Sequence, residues 1–494
     1  MTPPYNTKYN CISCNLTTVA ITMNISRQEK IIAGLCITSL GILWFVFAYI
    51  QHTTYSYVIG DTAVAQNALY NTLRGDWFYQ SALAAPHNFR EHISLIQILY
   101  LPFLAVIPHT LILYCVIHVT YAITGFFLYV FTRQKMTRIV ALTATALYIT
   151  HPLTTAQTVG AFHVAAMAGP LILMTLLAYE AHKYRWFLAG IISLFLIPEF
   201  IAPTIALIGV IALLEKRTWR WWLPPILSGS LLYLLARQFV TIGNGSHGSI
   251  MQSLNPANWA QTSHLSQRFL YAIHALQPIL WVPLLFTVRS LLLIPTLLII
   301  GFIVQFERFS GSAHLFAAVP PLLAFVFIHI MSHTQQNIWQ KKLTLTCAII
   351  GITISLPLQM QWLNVNRDKP AEQYEEILPY IVDTGSVSVP AHIAPHLANR
   401  RELYLHLNRE QADYIIITES ASLRARTDDP IAVQLISYFD DIKASKSYRE
   451  VITKDPVSLY ITTKKIEELF PKEYDSTITQ KELQALLQGE RNKK

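Results

Sequence analysis

The chain has 494 residues, of which 53% are hydrophobic and 13% charged, and its formal net charge is +8. This composition excludes an ordinary soluble protein and is typical of a polytopic membrane protein with room for a second domain. The positive charge does not indicate nucleic-acid binding, because the Lys and Arg residues lie in short clusters between apolar runs, as membrane topology alone produces.

The apolar runs predict a bundle of transmembrane helices after an N-terminal tail. Residues 1–30 are expected to form a disordered cytoplasmic tail. A helix that spans the membrane needs about 20 mainly apolar residues. About eleven stretches meet or approach this length: 31–50, 109–132, 138–150, 164–181, 186–198, 200–215, 219–240, 273–288, 290–305, 313–332 and 343–360. We therefore predict about eleven transmembrane helices within residues 31–360.

A polar stretch, VIGDTAVAQNALYNTLRGDW (residues 58–77), follows the first predicted span. Its apolar residues have helical spacing, and Gly75 is suited to end the helix. Asp61 stands near the start of this helix, where two interpretations are open. It caps the helix, or it accepts a proton from an acceptor hydroxyl at the membrane surface. One carboxylate can do both.

The segment HISLIQILYLPFLAVIPH (residues 92–109) decides the orientation of everything after it. If it does not cross the membrane, the basic clusters all lie on one side, as the positive-inside rule requires. These clusters are Arg27 with Lys30, TRQKMTR, HKYR, EKRTWR, Arg289, and Lys341 with Lys342. We therefore predict an interfacial or re-entrant helix, interrupted by Pro102, with the N-terminus of the chain in the cytoplasm and the C-terminus outside.

This topology brings ionisable residues from five segments to the external membrane surface. They are Asp61, Glu91, His92, His163, Glu199 and His314. Taken singly, Glu199 is explained equally well as a turn residue between two helices, and each histidine as a structural residue at a helix end. Their convergence, which was not used to choose the topology, favours a common site.

After the last span the composition changes, and residues 361–494 predict a small external α/β domain. The runs VSVP, LYLHL, YIIIT and SLYITT are typical of strands, and PAEQYEEILPYI and PIAVQLISYFDDI of helices. His396, Arg400 and Arg401 form a basic turn that either is solvated or binds a phosphate or acidic sugar. Thr479 and Glu482 have the spacing of a capping box, which predicts a terminal helix.

A family resemblance rests on successive blocks of the chain: QNALYNTLRG, EHISLIQILYLP, GAFH, IPEF, SAHLFAAVPP, VSVPAHIAPHLANRRELYLHL and ADYIIIT. In this order they resemble the predicted membrane proteins of domain of unknown function family 2079, from about residue 55 to 420. That family is related to the GT-C superfamily of membrane glycosyltransferases. The resemblance implies a GT-C fold whose first external loop carries an acidic catalytic residue, and Asp61 matches that position.

The resemblance also implies a reaction. A polyprenyl-phosphate sugar donor would enter between the helices from the membrane lipid, and an extracytoplasmic acceptor would approach from outside. The predicted catalytic residues are Asp61 as base, His92 and His163 as partners of the departing phosphate, and Glu199, which orients a histidine or holds a divalent cation. The predicted substrate-binding residues are Arg74, Arg90, Glu91 and His314.

The chain departs from the family pattern at four positions. Gln66 and Ala165 stand where acidic residues are usual, and Pro198 and Phe200 replace a flanking Lys and Asp. These departures disfavour a metal held by protein ligands alone. The alternative function is a non-catalytic membrane-anchored binding protein or a transporter, although no internal repeat typical of transporters is evident.

Overall fold

A computed structural model of the chain describes residues 25–57, 60–82, 89, 92–160, 162–239, 288–293, 317–333, 338–363, 371–405, 412–419, 430–471 and 478–492. Most of the N-terminal tail and of the predicted spans 273–288 and 290–305 lies outside these residues. Arg90, Glu91 and His314 also lie outside them, so the structure does not bear on their predicted roles.

The regular secondary structure of the described chain before residue 364 is helical. They are α1 (Arg27–Thr53), α2 (Asp61–Leu73), α3 (Leu101–Val106), α4 (Thr110–Lys135), α5 (Arg138–Ile149), α6 (Pro152–Thr155), α7 (Ala168–Glu180), α8 (Tyr184–Phe195), α9 (Ala202–Leu214), α10 (Trp219–Phe239), α11 (Val319–His333) and α12 (Ile338–Leu363). Short 3₁₀ helices lie at Leu95–Tyr100, Val164–Met167, Glu199–Ile201 and Val288–Leu293, and a π-helical turn lies at Ala156–Gly160.

Two of these helices, α1 and α4, are long and apolar enough to cross a membrane. A third span is formed if α5 is counted together with Pro152–Val159, from which it is bent by 45°. Each predicted span that the structure describes contains helix, but α8, for example, has 12 residues and a length of only about 18 Å. The described residues therefore show two or three clear spans, and the number eleven is not confirmed.

Helix α1 packs against α4 with small residues in the contact. Gly34 lies beside the Phe126 ring and Gly41 beside the Ala122 side chain, where an added Cβ would make ordinary van der Waals contact at 3.6 Å. On the outer face the side chains are again apolar, and Leu35 is 63% exposed. Helices that pack through small residues and expose large apolar ones are suited to a lipid environment.

The segment predicted to be interfacial forms the 3₁₀ helix Leu95–Tyr100, which continues into α3. Together they are 12 residues long, about 18 Å, which is too short to cross about 30 Å of hydrocarbon. Pro102 stands in the first turn of α3, where its missing N–H costs nothing. The prediction of a short helix is thus confirmed, and its placement on the membrane surface stays a prediction.

A five-stranded sheet with the order β2-β1-β3-β5-β4 follows α12. Its strands are β1 (Val387–Val389), β2 (Leu403–Leu405), β3 (Tyr414–Thr418), β4 (Tyr448–Lys454) and β5 (Val457–Thr462). β1 pairs in parallel with β2 and β3, whereas β5 pairs antiparallel with β3 and β4. The four predicted strands are confirmed. Strand β4 was not predicted, because it is an edge strand in which only Val451 and Ile452 are buried.

Among the described residues, four α-helices accompany the sheet: α13 (Ala371–Ile377), α14 (Pro430–Ala444), α15 (Thr463–Leu469) and α16 (Gln480–Asn492). The predicted capping box at the start of α16 is confirmed. The Thr479 N–H donates to the Glu482 carboxylate at 2.8 Å, and the Glu482 N–H donates to the Thr479 hydroxyl at 3.3 Å. Leu483 and Leu487 anchor α16 in the core beside the sheet.

Helix α2 lies between the helical bundle and the sheet. Ala65 and Leu69 belong to the core of the bundle, whereas Ala63 and Val64 belong to the core beside the sheet. Because α2 contributes to both cores, the structure does not fix domain limits, and those predicted at 1–30, 31–360 and 361–494 stay predictions.

Candidate functional site

An ion pair joins two of the predicted catalytic residues. The Nδ1 atom of His92, just before the 3₁₀ helix Leu95–Tyr100, lies 2.9 Å from Oε1 of Glu199. The second carboxylate oxygen of Glu199 accepts the Ile93 N–H at 3.0 Å. A backbone bond from the Ile96 N–H to the Leu196 carbonyl, 2.8 Å long, holds the two segments together. Glu199 therefore fixes both the backbone and the ring at the start of the 92–109 segment.

The environment of Glu199 favours its charged form. Burial raises the pKa of this carboxyl, but the charge and hydrogen bond of His92, with the Ile93 N–H, lower it more, and the pKa lies below its ordinary value of 4.5. The two side chains are 12% and 15% exposed, so solvent reaches the edge of the pair. A carboxylate that stays ionised at neutral pH is a suitable partner for a protonated imidazole.

His163 lies beside this pair at the start of the 3₁₀ helix Val164–Met167. Its Nδ1 accepts the Ala165 N–H at 3.0 Å, so it caps this helix. An Nδ1 that accepts a hydrogen bond leaves the ring proton on Nε2. The His163 and His92 rings are 5.5 Å apart between centroids and nearly perpendicular, at 87°. The structure thus brings together three residues that are far apart in the sequence.

Asp61 is the first residue of α2 and is only partly buried. The predicted helix is confirmed, and Gly75, with a φ of +99°, follows its C-terminal cap. The alternative that Asp61 caps the helix is wrong, because the N-cap residue is Gly60. A Cβ on Gly60 would come within 2.6 Å of the Leu405 side chain, so β2 leaves no space there for a capping side chain.

Hydrogen bonds connect the start of α2 to the segment that carries His163. The Phe162 N–H donates to both the Thr62 hydroxyl, at 3.0 Å, and the Tyr114 hydroxyl, at 2.9 Å. The two hydroxyls are themselves 3.1 Å apart. Since Thr62 follows Asp61 and Phe162 precedes His163, this network brings the start of α2 close to the segment that carries His163.

Of the predicted substrate-binding residues, Arg74 is the one that lies in the described part of the chain, and it is apart from this group. Arg74 caps the C-terminus of α2, about 20 Å along the helix from Asp61, and its guanidinium lies 4.3 Å above the Tyr70 ring. It is therefore separated from the Asp61 carboxylate. Within the described ranges, no three His, Cys, Asp or Glu side chains are arranged to hold a metal ion.

Amide side chains of α2 have a role that sequence reasoning missed. Asn67 donates to the Ala398 carbonyl at 3.2 Å and to the Arg400 carbonyl at 2.6 Å, and Asn71 donates to the Arg401 carbonyl at 3.1 Å. Gln66 donates to the Asn399 side chain at 2.8 Å. We call these three residues the amide clamp. The available signal was the run QNALYN, in which Asn67 and Asn71 are four residues apart and therefore share one face of a helix.

The basic turn of residues 396–401 is mainly structural. Arg400 is buried and donates to the Leu397 carbonyl at 2.8 Å and the Gly385 carbonyl at 3.0 Å. Burial lowers its pKa to about 10. Both predicted interpretations, a solvated turn and a phosphate site, are wrong for Arg400, because its guanidinium satisfies backbone carbonyls. Only Arg401 is exposed, and it pairs with Asp76 at 3.2 Å.

His396 completes a cluster of three histidines where α1, α4 and the sheet-containing part meet. Its ring stacks on His52 at 4.1 Å between centroids, and the His109 ring lies 4.9 Å from that of His52. Tyr55 stacks on the other side of His396 at 4.2 Å. Burial, together with the nearby His52, His109 and His392, lowers the pKa of His396 well below its ordinary value of 6.5.

This cluster predicts that acid weakens the folded state. Above pH 6.5 His396 is neutral in both the folded and the unfolded chain, so it adds no pH dependence. Below pH 6.5 the unfolded chain takes up a proton that the folded chain does not, and stability falls. We expect a lower thermal midpoint at pH 5 than at pH 7.5, and a smaller difference in His396→Gln. An equal difference in both proteins would contradict this assignment. Glu199 does not interfere, because its pKa is already low and its protonation lowers stability only below about pH 4.5.

A comparison with protein families matches a stretch of the chain that contains the whole candidate site. The sequence model of the family described as Predicted membrane protein (DUF2079) matches residues 61–435. The chain belongs to this family. The DUF2079 match begins at Asp61, includes His92, His163 and Glu199, and ends within α14. It confirms the predicted family, which is described as one of predicted membrane proteins, and the apolar helices agree with membrane association. None of the curated proteins matches the chain.

Proposed function

We propose that this DUF2079 protein is a membrane glycosyltransferase of GT-C type, which transfers a sugar from a polyprenyl-phosphate donor to an extracytoplasmic acceptor. The observation that carries the proposal is the contact of Glu199, His92 and His163 in a partly exposed group, with Thr62, the residue after Asp61, hydrogen-bonded to the residue before His163. A carboxylate base and two imidazoles are groups that can serve a displacement at a phosphorylated sugar.

The proposed reaction is a single displacement with inversion. The acceptor oxygen forms a bond to the anomeric carbon while the bond between that carbon and the phosphate oxygen breaks, and the electron pair leaves with the phosphate. Asp61 takes the proton of the acceptor hydroxyl. The products are the glycosylated acceptor and polyprenyl phosphate. General base catalysis of this kind contributes about 10²–10⁴ in rate.

The phosphate leaves with negative charge, which the two histidines would stabilise. In its protonated form His92, held by Glu199 at 2.9 Å, supplies a positive charge. His163 carries its ring proton on Nε2 and donates a hydrogen bond. Such preorganised donors stabilise charge that develops in the transition state. If a divalent cation takes part, Glu199 is its candidate ligand, with phosphate or water completing the coordination.

The proposed topology has about eleven spans, with the N-terminus in the cytoplasm and the site outside. In support, Glu29 at the start of α1 pairs with Arg133 near the end of α4, whereas His52 near the end of α1 lies beside His109, which precedes α4. The two helices are therefore antiparallel. The basic loop TRQKMTR thus lies at one end, and the histidine cluster lies at the other.

The proposal is tested by sugar turnover in detergent. Purified protein is supplied with polyprenyl-phosphate-linked hexoses and pentoses, with and without divalent cations, and release of polyprenyl phosphate is measured. Glu199→Gln is expected to lower kcat about 10–100-fold with little change in KM, because it acts through His92. On the alkaline side, the activity of this variant should fall at a lower pH than that of the native protein, since the protonated imidazole has lost its anionic partner.

Glu482→Gln is the matched control, because Glu482 is an exposed glutamate of the capping box in α16. It should retain native kcat and pH profile. Native-like turnover and pH dependence in Glu199→Gln would remove Glu199 from the mechanism. If the native protein consumes no donor, the proposed transferase activity itself fails.

The second candidate is a membrane-anchored binding protein. The amide clamp favours it, since three polar residues of α2 hold the sheet-containing part on the bundle rather than face a substrate. Folded native protein that turns over no donor and gains no thermal stability from polyprenyl phosphate would support this candidate.

A further inference from the structure

A groove runs along the bundle between α1 and α5, with α4 as its floor, and has a volume of about 250 Å³. Apolar side chains form most of its lining, among them Ile32, Ala33, Leu40, Leu142 and Ala146. Ile32 and Leu142 are exposed, so the groove opens to the outside of the bundle. Both α1 and α4 have the length and apolarity of membrane spans, and the groove therefore opens toward lipid.

The groove has the length of a single leaflet. Its lining extends along α5 from Arg138 to Thr150, which at about 1.5 Å per residue is about 18 Å. The hydrocarbon layer is about 30 Å thick, so one leaflet is about 15 Å deep. An extended acyl chain that entered at one end would fill the groove to the middle of the bilayer.

One end of the groove is polar and carries a net positive charge. Glu29, Tyr129 and Arg138 line it there. The Glu29 carboxylate is already engaged, because it accepts from Arg133 Nε and from the Tyr129 hydroxyl, each at 2.8 Å. Arg138, the first residue of α5, is exposed and interacts with Glu29 through space, but it forms no ion pair with any described residue. Glu29 thus faces two arginines, Arg133 beside the groove and Arg138 in its lining, and these exceed its single charge by one.

We infer that this groove binds one acyl chain of an anionic glycerophospholipid, with the lipid phosphate held by Arg138. The observations fit both parts of such a lipid: an apolar channel of leaflet depth and an uncompensated guanidinium at its mouth. A membrane-surface arginine contributes about 1 kcal/mol to the attraction of anionic lipid, a factor of about five in affinity. The site lies at the end of α1 opposite His52 and does not depend on the proposed transferase activity.

Native mass spectrometry of delipidated full-length protein tests this inference. The protein is titrated with dioleoylphosphatidylglycerol and, separately, with dioleoylphosphatidylcholine. We expect the first phosphatidylglycerol to bind about fivefold more tightly than phosphatidylcholine. Arg138→Ala should abolish this preference. Arg220→Ala is the matched control, because Arg220 is also an exposed arginine at the start of a helix, α10, and it should leave the preference intact.

A second variant tests the channel itself. Ala146→Phe places an aromatic ring in the groove and should weaken binding of the first lipid of either headgroup, while the thermal midpoint stays close to native because Ala146 is only partly buried. Equal binding of the two lipids by the native protein would overturn the inference. So would an equal loss of preference in Arg138→Ala and Arg220→Ala, or native lipid binding in a folded Ala146→Phe protein.

Discussion

Asp61→Asn is expected to reduce sugar transfer by about 10²–10⁴-fold while the protein remains folded. The amide has the size of the carboxylate but cannot take the proton of an acceptor hydroxyl. Folding should survive because Asp61 is the first residue of α2 and does not cap it, and the loss of its charge near the helix N-terminus costs only about 0.3–1 kcal/mol. The measurement is release of polyprenyl phosphate in single-turnover conditions, which isolates the chemical step.

Asp76→Asn provides the matched control for this substitution. Asp76 belongs to the same polar stretch, but it lies beyond the far end of α2, where it pairs with the exposed Arg401 at 3.2 Å. Exposed pairs contribute little to stability, so we expect native turnover. If Asp61→Asn transfers sugar at the native rate while the native protein is active, Asp61 is not the base.

Asn67→Ala is expected to destabilise the contact between the bundle and the sheet-containing part by about 2–4 kcal/mol. Asn67 is fully buried, and its amide donates to two carbonyls, those of Ala398 and Arg400, while its oxygen accepts the Ser81 N–H at 3.2 Å. Alanine removes this partner from all three groups, and a buried group left fully without a partner costs about 1–3 kcal/mol, so the expected loss corresponds to one or two such groups. Hydrogen exchange over residues 394–405 should therefore speed up more than exchange in α4.

An exposed amide gives the control for Asn67→Ala. Gln134 is exposed near the end of α4, and Gln134→Ala should change neither hydrogen exchange nor the thermal midpoint by a measurable amount. Unchanged exchange over residues 394–405 in Asn67→Ala would show that the amide clamp does not hold the two parts together. Sugar turnover is a separate readout, since none of the clamp residues is assigned to the chemistry.

Particular residues show how far sequence reasoning reached into the site. Glu199, His92 and His163 were selected because a topology chosen from positive charges placed them on one side, and the structure joins them by an ion pair and a ring contact. Arg74 was included only because it is close to Asp61 in the sequence. Twelve residues of helix lie between the two, so proximity along the chain did not become proximity in space.

The sequence by itself determined the membrane class, the family, the helices, four of the five strands and the capping box of α16. Each depends on composition, on local periodicity or on residues a few positions apart, which are physical properties of the chain before it folds. Only the tertiary structure decided that Asn67 and Asn71 bind backbone carbonyls, and Gln66 the Asn399 side chain, more than 300 residues away. It also decided that Arg400 is buried and that the rings of His52, His109 and His396 are in contact. A polar side chain has the same appearance in a sequence whether it faces water, a substrate or an unsatisfied carbonyl, and only the packed chain supplies its partner.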